Sequence, residues 1–177
     1  HGLAQSTLIT GAGSIRYQAS AWRASIETHI EALPIDPDDV AAVATSAGLP
    51  EPIATTRLGL PKEYLIAEYA DFDVISALSP RMEALVGRFG FLVYARTDDH
   101  VKARFFAPGT GVQEDAATGS AAVALAHAYR SRGEVMGNLT IHQGDEIGHP
   151  STIELEWTGT HVTIGGTVRS EGATTIP

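Results

Sequence analysis

The spacing of apolar and polar residues divides the chain into short strands separated by turn residues, with two clear helical stretches. Thr7–Thr10 and Ser14–Tyr17 flank Gly11-Ala12-Gly13, which predicts a hairpin. Ser25–Ile30 alternates polar and apolar residues and reads as a third strand with one wet face. Asp36-Pro37-Asp38-Asp39 carries a helix-start pattern, with Asp36 as N-cap and Pro37 at the first helical position. That helix should run through Ala47 and stop at Gly48, with Pro50 beyond. Ile53–Leu58 and Tyr64–Glu68 read as strands. Val74, Leu78, Met82, Leu85 and Phe89 recur at helical spacing, and Ser79-Pro80 splits them into two short helices. Phe91–Ala95 and Val101–Phe106 are predicted strands around the polar turn Thr97-Asp98-Asp99. Asn138–His142, Ile153–Trp157 and His161–Ile164 complete the strands, after a helix over Ala117–Arg132 that Gly133 ends.

This last helix is unusual. Its residues are apolar or small on every side, and its first charge comes only at Arg130. A helix without a polar face has no side that water would solvate, so it should be buried all round. In a chain of short strands, the place for such a helix is inside a curved sheet or barrel. The fold class expected is therefore α+β, with a barrel-like sheet around a central helix.

Composition narrows the functional classes. Twelve Lys and Arg against 21 Asp and Glu leave a net charge of −9, which disfavours nucleic acid and anionic membrane as partners. Cysteine is absent, so disulfides, thiolate metal sites and thiol acid–base pairs are excluded together. The seven histidines show no metal-ligand spacing, and no phosphate-binding glycine loop occurs. The uncharged stretch from Ala116 to Tyr129 falls short of the ~20 residues of a membrane-spanning helix. His1-Gly2-Leu3-Ala4-Gln5 shows no leader pattern and no initiator Met, so the expectation is a processed or truncated chain.

The chemistry concentrates between Phe105 and Ser120. A strand ends, a glycine-containing loop follows, Glu114 and Asp115 stand together, and Thr118-Gly119-Ser120 opens the apolar helix. The first turn of a helix has free N–H groups and a partial positive charge, suited to a carboxylate or phosphate. Gly119 leaves room for a ligand, Ser120 adds a hydroxyl, and Asp115 is a candidate general acid/base. A plainer reading stands beside this one: Thr118 or Ser120 caps the helix, and Asp115 complements its dipole. Gln143 to Ser151 reads as a surface connection between strands, and Gly165-Gly166 as a bulge or close backbone approach.

Arg104-Phe105-Phe106-Ala107-Pro108, followed by Glu114-Asp115-Ala116-Ala117-Thr118-Gly119-Ser120-Ala121, resembles the signature of the phenazine-biosynthesis (PhzF-like) isomerase family. Gln143-Gly144 with Gly148-His149-Pro150-Ser151, and then Gly165-Gly166-Thr167-Val168, resemble its downstream loop and final strand. The resemblance implies a diaminopimelate-epimerase-like fold, in which two similar domains each wrap a sheet around a helix and the active site lies between them. It implies a remnant of the first domain over 1–50 and a second domain over 51–165 with central helix 117–132. A C-terminal segment over 166–177 would return toward the first domain.

By this match Asp115 and Ser120 are catalytic, while Glu114, Thr118, Gly119, Gln143 and Gly144 bind substrate. The reaction implied is isomerisation of a small carboxylate, cyclic or amino-acid-like, by proton transfer with no organic cofactor and no metal. A cytoplasmic homodimer is expected. Ala116 stands where the family has Pro, and His149 where it has Arg. The family's general-base Glu and its Gly-His pair have no counterpart: Glu27 is only locally similar, and His1-Gly2 has the reverse order. Much of the first domain is therefore expected to be missing. A non-catalytic anion-binding protein, or a subunit completed by another chain or copy, are the alternatives.

Overall fold

A computed structural model describes residues 4–10, 13–20, 23–29, 33–35, 38–60 and 62–167. The strands are β1 (Ala4–Thr10), β2 (Gly13–Ala19), β3 (Arg23–His29), β4 (Leu33–Ile35), β5 (Ala54–Leu60) and β6 (Lys62–Glu68). They continue with β7 (Gly90–Thr97), β8 (His100–Ala107), β9 (Val112–Asp115), β10 (Met136–Gln143), β11 (Ser151–Thr158) and β12 (His161–Thr167). The helices are α1 (Asp38–Ser46), α2 (Phe72–Ala77) and α3 (Gly119–Ser131).

All twelve described strands form one sheet, ordered β1-β2-β3-β12-β11-β10-β8-β7-β6-β5-β4, with β9 beside β8. Most neighbours are antiparallel, but β6 with β7 and β10 with β8 run parallel. The predicted hairpin is β1–β2, in register from Ala4 opposite Ala19 to Thr10 opposite Gly13. β3 joins the far part of the chain directly, since its whole length pairs with β12 and Ile26 lies opposite Ile164.

Two apolar layers sandwich the middle of this sheet. α3 packs on one face against β11 and β12 and, from the other side, against β5 and β6, so the sheet curls around it. Ala121 through Tyr129 are all buried, as the absence of a polar face requires. Their neighbours include Tyr64, Ile66, Leu92, Phe105, Leu139, Ile141, Leu155 and Trp157. The other face of β6, β7 and β8 presents Leu65, Ala67, Phe91, Val93 and Phe106 to α1 and α2. Strands covered on both faces become unbroken apolar runs, which explains Tyr64–Ala67 and Phe91–Ala95. β10 and β11 are covered on one face only. There Leu139 and Ile141 alternate with Asn138 and Thr140.

The α+β architecture with a buried central helix is the one the pattern predicts. Gly48 ends α1 at φ +75, where a side chain would be strained. Asp36 and Pro37, expected to start that helix, lie outside the described residues. The split helical patch is one α-helix and a single 3-10 turn at Met82–Ala84. Two short strands went unpredicted, β4 and β9, because three or four residues are too few for a period to register. One expectation is overturned. The segment after Gln143 is no plain surface connection at its start, since Gln143 is 2% exposed and Gly144 is also buried. Gln143 continues the inward positions of Leu139 and Ile141 along β10.

Candidate active site

β9 settles where the paired carboxylates go. It adds to β8 across a register shift, with Asp115 opposite Phe105 and Val112 opposite Ala107. Successive side chains on a strand point to opposite faces, so Glu114 and Asp115 part company rather than stand together. Glu114 turns to Arg104, whose Nε and Nη2 each donate to one of its oxygens at 2.8 Å. Both side chains are nearly dry, at 8% and 7% exposure. Arg104 also donates through Nη1 to the carbonyl of Leu78 at 2.6 Å, the residue that closes α2. Its guanidinium lies 5.0 Å from the centre of the Phe106 ring. Both oxygens of Glu114, expected to contact substrate, are thus engaged in an internal ion pair.

Asp115 turns the other way, toward the start of α3. Its Oδ2 accepts a hydrogen bond from the Thr118 hydroxyl at 2.7 Å. Gln143 reaches the same turn from β10: Nε2 donates to the Asp115 carbonyl at 2.6 Å and to Thr118 Oγ1 at 3.0 Å. The Thr118 N–H donates to Gln143 Oε1 at 3.4 Å. Ser151 supports the turn from β11, donating to the Ala116 carbonyl at 2.6 Å. Gly144 lies directly beneath: a Cβ there would overlap the His149 carbonyl oxygen and sit 2.9 Å from that of Ala116. Its φ of +89 adds a second reason for glycine.

Thr118 is the N-cap of α3 but makes no side-chain cap bond, because its hydroxyl is used on Asp115. The capping role open to Thr118 in the sequence is therefore not the one it takes. The N-cap side chain leaves the first-turn N–H groups to other partners, in a helix whose body is buried. Gly119 begins that turn, and a Cβ on it would stand 2.8 Å from Ile164 Cδ1. Ser120 is exposed and lies near the phenol of buried Tyr64. Burial pushes the Tyr64 phenol above its ordinary range, and the neighbouring Ser120 hydroxyl draws it partly back. Tyr64 has no motif around it and is seen only once β6 is placed against α3.

An open cleft of about 260 Å³ adjoins the helix start. Ala117, Gly119, Ile26, Ile153, Ile164 and Gly166 contribute to its lining, which is mainly apolar. Gly166 has no room for a side chain, since a Cβ would meet the Thr152 carbonyl at 2.8 Å. Ile26 faces this cleft, so Glu27 beside it in β3 takes the opposite face. There it lies 3.6 Å from Arg16 in a separate polar hollow with Gln18, Ser25 and Thr163. The structure thus brings Asp115, Thr118, Gln143 and Gly144 together, with Gly119 and Ser120 on the adjoining turn. It leaves Glu114 on the other side of β9. Arg104 and Ser151 are additional residues of this architecture. Arg104 had a local signal, its place directly before Phe105-Phe106 in the strand that leads into the paired carboxylates. Among the described residues no group of three His, Asp or Glu side chains converges as a metal site. No described helix is long and apolar enough to cross a membrane.

Comparison with known proteins follows the same lines. Residues 37–175 match the family model for phenazine biosynthesis-like protein, PhzC-PhzF. The chain is 38% identical over 119 residues to the trans-2,3-dihydro-3-hydroxyanthranilate isomerase of Pseudomonas aeruginosa. That alignment takes in 65% of this chain and 42% of the isomerase, so the chain spans less than half of that relative. A phenazine biosynthesis protein of the PhzF family from Bacillus anthracis superposes with a TM-score of 0.69 at 18% identity, over 94% of this chain and 66% of that one. A protein described as a predicted epimerase from Pseudomonas aeruginosa gives 0.68 at 21% identity, over 98% of this chain and 68% of that one. These two likenesses establish the fold, while the family model, matching most of the chain, establishes the descent. The chain belongs to the phenazine biosynthesis-like (PhzC-PhzF) family.

Proposed function

We propose that this chain carries the acid–base and anion-binding part of a cofactor-independent isomerase that moves a proton on a small cyclic carboxylate. The observation that carries the reading is Asp115, bonded to Thr118 at a helix start that the N-cap side chain leaves uncapped and whose Ala117 and Gly119 line an apolar cleft. The positive end of α3, with the Gly119 and Ser120 amides, would hold the substrate's carboxylate. The apolar cleft would take its carbon framework. Asp115 would accept a proton from one carbon while the C–H electrons enter the conjugated system. It would return that proton at a second carbon, so the double bond moves and nothing is gained or lost. Glu114 would serve through Arg104 as an anchor for β9. The same proposal includes a homodimer: among the described residues β1 and β4 each pair along one side only, which leaves sheet edges a second copy could extend.

The test is solvent-deuterium incorporation into trans-2,3-dihydro-3-hydroxyanthranilate, the compound in the relatives' name. The parent protein should incorporate deuterium, and Asp115→Asn should slow incorporation by about 10²–10⁴-fold, the usual worth of a general acid/base. Equal rates in the two proteins remove Asp115 from the reaction. A second reading, an anion-binding protein without turnover, draws on the position of Glu27. The carboxylate most like the family's base faces away from the cleft. That reading expects saturable binding of the same compound with no deuterium entering it.

A further inference from the structure

Resting on the reading of Asp115 as the proton carrier, we propose that Thr118 and Gln143 are positioning residues. They fix the donor–acceptor polarity around Asp115, so that its Oδ1, rather than Oδ2, takes up and delivers the proton.

The argument starts from an amide with only one workable orientation. Gln143 is 2% exposed, at an inward position of β10 where Leu139 and Ile141 precede it. One end of its amide lies 2.6 Å from the Asp115 carbonyl oxygen, which can only accept. The other end lies 3.4 Å from the Thr118 N–H, which can only donate. Turning the amide over would set oxygen against oxygen and N–H against N–H. The nitrogen therefore faces Asp115, and its second hydrogen goes to Thr118 Oγ1 at 3.0 Å.

A hydroxyl has one hydrogen. With its oxygen accepting from Gln143, Thr118 can spend that hydrogen only on Asp115 Oδ2, 2.7 Å away. Oδ2 is thus held as an acceptor, and the hydrogen donated to it makes it less basic than Oδ1. Among the described residues Oδ1 has no hydrogen-bond partner, so it is the atom left to exchange a proton. The lock also fixes the plane of the carboxylate. Reacting atoms displaced by about 1 Å lose on the order of 10²-fold in rate.

The test uses the full chain as parent and as Thr118→Ser, Thr118→Val and Gln143→Glu. The first readout needs no substrate: proton NMR of the residue-118 hydroxyl. A hydroxyl bonded on both sides and buried exchanges slowly enough to be seen. The signal should appear in the parent and in Thr118→Ser, with nuclear Overhauser contacts to the Gln143 amide protons. It should vanish in Gln143→Glu, because a carboxylate cannot donate to the hydroxyl or to the Asp115 carbonyl. The second readout is deuterium incorporation into trans-2,3-dihydro-3-hydroxyanthranilate. Thr118→Val should lower the rate at saturation by about 10–100-fold, keep KM within about threefold, and be rescued to within about threefold of the parent by Thr118→Ser. An absent hydroxyl signal in the parent, or one unchanged in Gln143→Glu, overturns the lock. Full exchange activity in folded Thr118→Val does so too. If the parent shows the locked hydroxyl but exchanges no deuterium, the isomerase reading fails and the role in proton delivery fails with it, while the polarity itself stands.

Discussion

Replacing Arg104 by Met tests how the acidic motif is held. The Arg104 and Glu114 side chains are 8% and 7% exposed, and both carboxylate oxygens are held at 2.8 Å. Met fills much of the same volume without charge, so Glu114 would remain ionised in a dry site with no cation. Breaking one side of such a pair costs about 3–5 kcal/mol. The carbonyl of Leu78 would also lose a charge-assisted donor at 2.6 Å, so the upper part of that range is expected. Removing both charges, as Arg104→Met with Glu114→Leu, should recover most of the loss, because the desolvation of both ions disappears together. A double-mutant cycle in urea, followed by the fluorescence of buried Trp157, should therefore give a coupling of at least about 2 kcal/mol. A loss below about 1 kcal/mol for Arg104→Met, or additive single effects, would mean that the pair is solvated and does not anchor β9. Because Asp115 follows Glu114 directly, deuterium exchange should fall in Arg104→Met even under conditions where the protein remains folded.

Two further outcomes follow from the same geometry. Gly144→Ala should destabilise by more than about 2 kcal/mol, from a left-handed backbone costing about 1–2 kcal/mol plus overlap with two backbone carbonyls. Gly148→Ala is the control. It has φ +74 and open space around a Cβ, so its urea midpoint should reflect the backbone term alone. His127, 4% exposed, has its pKa lowered from 6.5 by burial and then by Arg130. The unfolded chain therefore binds a proton that the folded protein resists, and stability should fall as pH drops below about 6.5. Urea midpoints measured from pH 8 to pH 5 should decline less steeply in His127→Gln than in the parent. Equal slopes would show that His127 titrates freely in the fold.

Local pattern carried much of this structure. The hairpin, the main strands and the unbroken apolar helix all follow from the spacing of residues close in the chain, because strand and helix periods are local properties. The seat of α3 inside a curled sheet follows as well, since a helix with no polar face has only one stable environment. The motif around Asp115 marked the candidate site. The partners within that region were a matter of tertiary structure. Glu114 and Asp115 are neighbours in sequence, yet the strand between Val112 and Asp115 sends one to Arg104 and the other to Thr118. Gln143 meets Thr118 and Asp115 across a long stretch of chain, through its place on β10 beside the start of α3. Ile26 and Ile164 share a cleft only because β3 pairs with β12. Hydrogen bonds and ion pairs between distant residues depend on strand order and register, and no periodicity within a single segment encodes either.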